Sequence, residues 1–390
     1  MILASLYLMR KGIRGIDKIN DFDVIRHGVV QALKRTPELY FVDSREGRHY
    51  LYPPSSLVPL LPVGLLPYKI GGYLFTLGRL FALAAIFHIA VKWTGETVPL
   101  EESRTPWLMV GAFFVCFRFL NNEFGNGQIN LYLAALCFGG SWLALRPGRK
   151  QEWLGGLLVG LAASVKATPL IFIGVFILHK RWKALAFSLL LLILITALTH
   201  AWLGADLHEK LWKDWRTRGD WMALGSTKDD KAISLPEFIG TILNAGGVSL
   251  DRGGVKILWL VEAAIFLIAG LSIRFLKFRK SGFSPLWDTI LIGVSMVMLS
   301  PMTRKAHMAV ILFPVLVSLL IVYGHRNLVQ GGKAIVLLWT SLVLIFLGVS
   351  LSFEKVIPSY EVNITIFTGL LLFLLCLSGL KSETFQEKRL

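Results

Sequence analysis

From Leu185 to Leu203 the chain runs without a single Asp, Glu, Lys or Arg. A run of that length matches the roughly 20 apolar residues that a helix needs to cross a bilayer. Further apolar segments fall near Ile70–Val91, Trp107–Leu120, Ile129–Leu145, Trp153–Val165, Pro169–Leu178, Ile257–Phe275, Leu286–Leu299, Met308–Tyr323, Ala334–Leu351 and Ile364–Leu380. Several are shorter than a full crossing, which a membrane tolerates where such pieces face protein or water rather than lipid. Hydrophobic residues make up 54% of the 390 residues and charged residues only 17%. Soluble domains carry roughly 25% charged residues, and a soluble core cannot absorb this much apolar surface. The expectation is an all-α, polytopic membrane helical bundle, one integral membrane domain over 1–390.

The net charge is +16. In a soluble protein that excess would point to nucleic acid. Here the cations sit in short connectors between apolar runs, which points to membrane lipids and away from nucleic acid. One set of connectors carries Arg146, Arg149 and Lys150; Lys180, Arg181 and Lys183; Arg274, Lys277, Arg279 and Lys280; Arg326 and Lys333; and Lys381, Lys388 and Arg389. By the positive-inside rule this set faces the cytoplasm of a plasma (inner) membrane protein. Alternation then puts a first loop over 21–67, the Lys166–Thr168 break and a long loop over 204–256 on the extracytoplasmic side. Arg304 and Lys305 fall there against the rule, and misplaced cations in membrane proteins tend to be functional. Trp212, Trp215 and Trp221, interleaved with Lys213, Arg216 and Arg218, suit an interfacial helix within the long loop.

Cys116, Cys137 and Cys376 lie in or beside apolar runs without ligand spacing and read as small core residues. The first apolar run, Met1–Met9, has about half the length of a crossing helix and no small-residue cleavage site. A truncated first helix is expected rather than a signal peptide.

Five constellations carry chemistry. Asn20-Asp21-Phe22-Asp23 opens an amphipathic stretch to Thr36, with Phe22, Ile25, Val29 and Leu33 at helical spacing. Such a helix is expected to lie on the membrane surface. Asn20 or Asp21 either caps it, or Asp21 serves as a general base; Asp23 suits the helix dipole and is the weaker catalytic candidate. Tyr50-Leu51-Tyr52-Pro53-Pro54 reads as a stiff loop entering a span, or as a wall beside the acid. Asn126-Gly127-Gln128-Ile129-Asn130 sets amides at a helix start, where they must be hydrogen-bonded or recognise hydroxyls. Lys166, with Thr168 and Pro169, interrupts two apolar segments. It either snorkels outward or neutralises a phosphate. Leu299-Ser300-Pro301 through Arg304, Lys305 and His307 places cations and a His at a helix break. Gly156-x-x-x-Gly160 reads as close packing only.

Taken together these segments resemble glycosyltransferase family 87, polyprenyl-phosphate-mannose-dependent mannosyltransferases of the GT-C superfamily. The resemblance rests on Asp21-Phe22, Tyr52-Pro53-Pro54, Gly127-Gln128-Ile129-Asn130, Lys166-Ala167-Thr168-Pro169, and Leu299-Ser300-Pro301 with His307, in family order. The chain departs from the pattern at Arg304, where the family often has Trp, and in keeping only His307 of a His pair. It also reads Lys231-Ala232-Ile233-Ser234-Leu235 where Asn-Gln-Ser-Leu is usual.

The resemblance implies transfer of mannose or another hexose from a polyprenyl-phosphate sugar donor to a lipid or glycan acceptor at the outer face. Asp21 would be the base and the anomeric carbon would be inverted. Lys166, Arg304 and His307 would face the leaving phosphate. Gln128 and Asn130 would bind sugar hydroxyls or brace their loop, and Tyr52 and Asp23 would be further substrate-binding residues. No cofactor is implied beyond the donor substrate, no acidic cluster calls for a metal, and no protein partner is expected. The broken helices and polar groups leave a lipid or small-molecule transporter or flippase as the alternative. A third reading is an inactive relative of the superfamily. No internal repeat is visible, and the polar residues gather toward one face, which favours the enzyme.

Overall fold

The computed structural model describes residues 2–16, 21–40, 50–225, 252–273, 284–299, 307–324 and 340–343, with positions 243, 247 and 275. Among these residues every regular element is helical. Contacts divide the chain into two units, Met1–Ile86 with Leu120–Ala223, and Phe87–Phe119 with Leu224–Leu390.

The first unit begins with α1 (Ile2–Ile16) and α2 (Asp21–Leu33). A 3-10 turn at Pro54–Ser56 leads into α3 (Leu57–Leu65) and then α4 (Tyr68–Thr97). From Phe87 onward α4 belongs to the second unit, as does α5 (Thr105–Gly125) up to Phe119. After α5 come α6 (Asn130–Leu145), α7 (Arg149–Val165), a 3-10 turn at Thr168–Phe172 and α8 (Ile173–Leu178). The unit closes with α9 (Trp182–Leu203) and α10 (Ala205–Gly225). The expected break at Lys166 is therefore present. Pro169 lacks a backbone donor and disfavours a helical residue before it, so α7 stops at Val165.

Among the described residues two helices, α4 and α9, are long and apolar enough to cross a membrane. Both carry apolar side chains on the outside of the protein: Ile70, Leu74, Leu77 and Phe81 on α4, and Leu189, Leu190, Ile193, Leu194 and Leu198 on α9. Stripes of that size are stable only against lipid or a partner surface, and they mark an integral membrane protein.

α6, α7 and α9 pack through small residues. A Cβ at Gly155 would strike the Gly140 carbonyl, and one at Gly156 would strike the backbone of Ala184. A Cβ at Gly160 would lie 2.6 Å from the Ser188 carbonyl. The backbones approach so closely that Ser188 Oγ donates to the Gly156 carbonyl at 2.8 Å. With no hydrophobic drive between helices in lipid, this fit and this bond supply the attraction.

α7 runs antiparallel to α6 and parallel to α9, which sorts the loops by end. At one end Arg181 Nη2 donates to the Leu145 carbonyl at 2.9 Å, and the Lys183 N–H to Glu152 Oε1 at 3.1 Å. At the other end Ser55 Oγ donates to the Ser164 carbonyl at 2.8 Å, and Arg35 Nη2 to the Trp202 carbonyl at 3.2 Å. The cationic connectors of this unit thus gather opposite to Asp21 and Lys166.

One expectation is corrected. α2 does not rest its apolar face on lipid, because that face is covered by protein. Phe22, Ile25 and Val29 are buried and only Leu33 is exposed. Phe22 sits against the rings of Tyr68 and Phe75, at 5.6 and 5.3 Å between centroids. Gly28 lies under the ring of Tyr50, and Gly64 of α3 lies against Val29. The apolar spacing was correct, but spacing cannot say which apolar surface will cover the face. The long loop does carry a helix, α10. Its Lys210 Nζ donates to the Pro37 carbonyl at 2.7 Å and pairs with Asp214 at 2.8 Å.

In the second unit α11 (Arg252–Ile273) precedes α12 (Ser284–Met298), and a 3-10 turn at His307–Ile311 opens α13 (Leu312–Gly324). α12 is buried along nearly all its length. Trp93 packs on Phe313 with centroids 6.0 Å apart, and Arg104 Nη1 donates to the Tyr323 carbonyl at 3.4 Å. The apolar runs expected near 334–351 and 364–380 lie outside the described residues, except 340–343, which are helical. Cys116 and Cys137 are buried, as expected of core residues; Cys376 lies outside the described residues.

Candidate active site

The turn from α5 to α6 is the foundation of the site. Gly127 has a φ of 63°, which glycine adopts without a Cβ penalty. The Gln128 N–H then donates back to the Glu123 carbonyl at 3.1 Å, closing α5 in the manner of a left-handed cap. The chain reverses, and α6 begins at Asn130.

This reversal brings the side chain of Glu123, in the last turn of α5, to the first turn of α6. Its two oxygens accept from Asn130 Nδ2 at 3.0 Å and from the Leu131 N–H at 3.1 Å. A carboxylate is unfavourable at the C-terminal end of its own helix but favourable at the N-terminal end of another. Glu123 is fully buried. Burial pushes its carboxyl up to about 7, while the hydrogen bonds from Asn130 and Leu131 and the charges of Arg79 and Lys166 act in the opposite direction.

Arg79 of α4 is buried too. It donates to the carbonyls of Glu123 and Phe124 at 2.8 and 3.2 Å, and to Thr76 Oγ1 at 3.0 Å. Its guanidinium lies 5.2 and 4.8 Å from the ring centroids of Phe75 and Phe124. A buried cation needs such partners to offset its lost hydration.

Asn130 joins the cluster to Lys166. Its Nδ2 also donates to Gln128 Oε1 at 3.2 Å, and its Oδ1 accepts from Lys166 Nζ at 3.3 Å. Lys166 itself is extended, at φ −146° and ψ 141°, in the break after α7. Burial pushes its ammonium down to about 8, while the carboxylates of Glu123 and Asp21 act in the opposite direction.

Asp21 arrives from α2. Its backbone N–H donates to the Asn126 carbonyl at 2.8 Å, and its side chain is half-exposed. Asp23 lies two residues on, roughly 200° around the helix, and is buried. The charge of Asp21 acts on Lys166.

Tyr52 completes the group. Burial first, then the neighbouring charges of Asp21, Tyr50 and Glu123, hold its phenol well above the ordinary tyrosine range. It therefore stays a hydroxyl donor. Its carbonyl accepts from Tyr40 Oη at 2.8 Å, and its ring lies 5.5 Å from that of Tyr50, which lies 5.8 Å from Tyr40. Tyr50 shares a hydrogen bond with Ser56. Trp215 Nε1 of α10 donates to the Leu51 carbonyl at 3.1 Å. The Tyr-Pro-Pro segment is held as a stiff wall.

Asp21, Tyr52, Gln128, Asn130 and Lys166 are thus brought together from separate stretches of chain. Asp23 lies on another side of α2. His307 opens a 3-10 turn of the second unit and is half-buried, and Arg304 lies outside the described residues. Among the described residues no group of three or more His, Cys, Asp or Glu is gathered as a metal site. Glu123 and Arg79 escaped the sequence reading. A signal existed, since Glu123 is the lone carboxylate between Glu102 and Glu152 and sits at the unfavourable end of its helix.

An all-helical membrane protein with a buried polar cluster at one end of its packed helices has the frame of an enzyme working at a membrane face. The glycosyltransferase family 87 profile matches residues 50–301, more than half of the chain, and the protein belongs to that family. It is a glycosyltransferase. It is similar to the polyprenol-phosphate-mannose-dependent alpha-(1-2)-phosphatidylinositol pentamannoside mannosyltransferase of Mycolicibacterium smegmatis, at 27% identity over 310 residues. That match covers 77% of this chain and 67% of the relative. It is also similar to the alpha-(1->3)-arabinofuranosyltransferase of Corynebacterium glutamicum, 25% identical over 332 residues, covering 81% and 70%. Among solved structures, ArnT from Cupriavidus metallidurans bound to undecaprenyl phosphate aligns with a TM-score of 0.47 and 12% identity, over 97% of this chain and 76% of that one.

Proposed function

We propose that the protein transfers a hexose, mannose in the first instance, from a polyprenyl-phosphate donor to a lipid or glycan acceptor at the extracytoplasmic membrane face. Asp21 takes the proton from an acceptor hydroxyl as its oxygen attacks the anomeric carbon. The bond from that carbon to the phosphate oxygen breaks, the phosphate keeps the electron pair, and the carbon inverts. General-base help of this kind is worth roughly 100- to 10,000-fold. Lys166 meets the phosphate as a compact ammonium in a site poor in water, where fixed charge acts strongly. Gln128 and the Tyr52 hydroxyl offer hydrogen bonds to sugar hydroxyls. Arg304 and His307 are the further candidates for the phosphate.

One observation carries this reading. Asp21 and Lys166, far apart in sequence, meet at one loop, where the Asp21 N–H donates to the Asn126 carbonyl at 2.8 Å and Lys166 Nζ to Asn130 Oδ1 at 3.3 Å, at the end of the first unit opposite its cationic connectors. The match to a glycosyltransferase family and the lipid-linked donor in the name of its Mycolicibacterium smegmatis relative support it. The test supplies purified protein in liposomes with radiolabelled polyprenyl-phosphate mannose and a phosphatidylinositol mannoside. Label moving to the acceptor is the expected result. Uptake of label without transfer would overturn the proposal.

A further inference from the structure

We infer that Glu123 is a positioning residue that sets the orientation of the Asn130 amide and thereby presents Lys166 to the donor phosphate. The inference rests on the proposed role of Lys166, and it adds a mechanism for how that lysine is held.

An asparagine side chain has one acceptor face and one donor face. Both oxygens of Glu123 act as acceptors, one toward Asn130 Nδ2 and one toward the Leu131 N–H. The second Nδ2 proton goes to Gln128 Oε1. With its donors committed to one side, Asn130 turns Oδ1 to the Lys166 ammonium. The arrangement has a polarity: carboxylate, amide donors, amide acceptor, ammonium. Rotating the amide by half a turn would set its oxygen against the Glu123 carboxylate and its NH2 against the Lys166 cation at once. Arg79 holds the other end of the relay, because it grips the carbonyls of Glu123 and Phe124 and fixes the last turn of α5.

Glu123→Gln keeps the shape and removes one acceptor. The new amide either turns its NH2 to the Leu131 N–H, leaving two donors face to face, or turns it to Asn130. In the second case Asn130 flips and offers its own NH2 to Lys166, which loses Oδ1 as an acceptor. Asn130→Asp on that background supplies one oxygen to the amide introduced at position 123 and one to Lys166. It restores every pairing, with Gln128 turning its own amide to match. The swap leaves the net charge unchanged.

The experiment compares wild type, Glu123→Gln, Asn130→Asp and the double variant in liposomes. Donor KM is measured, together with acylation of Lys166 by an amine-reactive reagent, quantified by mass spectrometry. Loss of one hydrogen bond to a charged group corresponds to about a ten- to hundredfold effect. Glu123→Gln should raise donor KM by that much and speed acylation of Lys166. Asn130→Asp alone sets two carboxylates together and should be no better. The double variant should return both readouts toward wild type. A single variant with wild-type KM and acylation, or a double variant as impaired as the singles, would overturn the inference. If Glu123→Gln fails to fold, the double variant must recover the wild-type melting temperature, and failure to do so counts against it equally. Acylation that follows the swap while donor KM does not would leave the relay standing and remove the phosphate role of Lys166.

Discussion

The backbone N–H of Asp21 donates to the carbonyl of Asn126 at 2.8 Å, so the first residue of α2 is tied to the loop that carries Gln128 and Asn130. The tie uses main-chain atoms on both sides. The place of Asp21 beside that loop is therefore kept when its side chain is changed.

For this reason Asp21→Asn should fold normally and fail to transfer. Its kcat should drop at least about 100-fold, the lower bound of general-base help, with an unchanged melting temperature in detergent. Near-normal turnover by the purified variant would remove Asp21 as the base.

Lys166→Ala should act mainly on the donor, raising its KM by about ten- to a hundredfold, the worth of one charge-assisted contact. pH supplies a second readout. The ammonium is held to about 8, so it is charged below that value and neutral above it. Donor KM in the wild type should rise as pH climbs through this range, and the rise should vanish in Lys166→Ala. Unchanged donor affinity and a retained pH limb would mean that the side chain only snorkels.

Gly28→Ala should destabilise α2 against the Tyr50 loop, because the added methyl would collide with the Tyr50 ring. Overpacking of this kind costs about 1–3 kcal/mol. Activity should fall with it, since Tyr50 supports Tyr52. Thermal melting followed by tryptophan fluorescence, alongside the transfer assay, checks both effects.

Gly156→Ala should part α7 from α9, because the added methyl would meet the Ala184 backbone rather than a movable side chain. A loss of about 1–3 kcal/mol is expected, together with loss of the Ser188 bond. Gly111→Ala in α5 is the control: nothing lies within 4 Å of its Cβ position, and helix propensity favours alanine by up to about 1 kcal/mol. Equal melting temperatures for the two variants would refute the close-packing account.

Local chemistry determined much of this protein. Apolar runs free of charge dictate helices in lipid, Pro169 ends α7 one turn early, and Gly127 lets the chain reverse after α5. These are effects of neighbours in sequence, so Asp21, Tyr52, Gln128, Asn130 and Lys166 were legible as candidates before any geometry was known. The covering of α2 by Tyr68, Phe75 and Tyr50 was not, because periodicity shows that a face is apolar without naming what it meets. Nor was Glu123, whose unfavourable place on α5 becomes favourable only against the start of α6. Burial, charge balance and amide direction depend on groups remote along the chain, and only the tertiary structure brings those together.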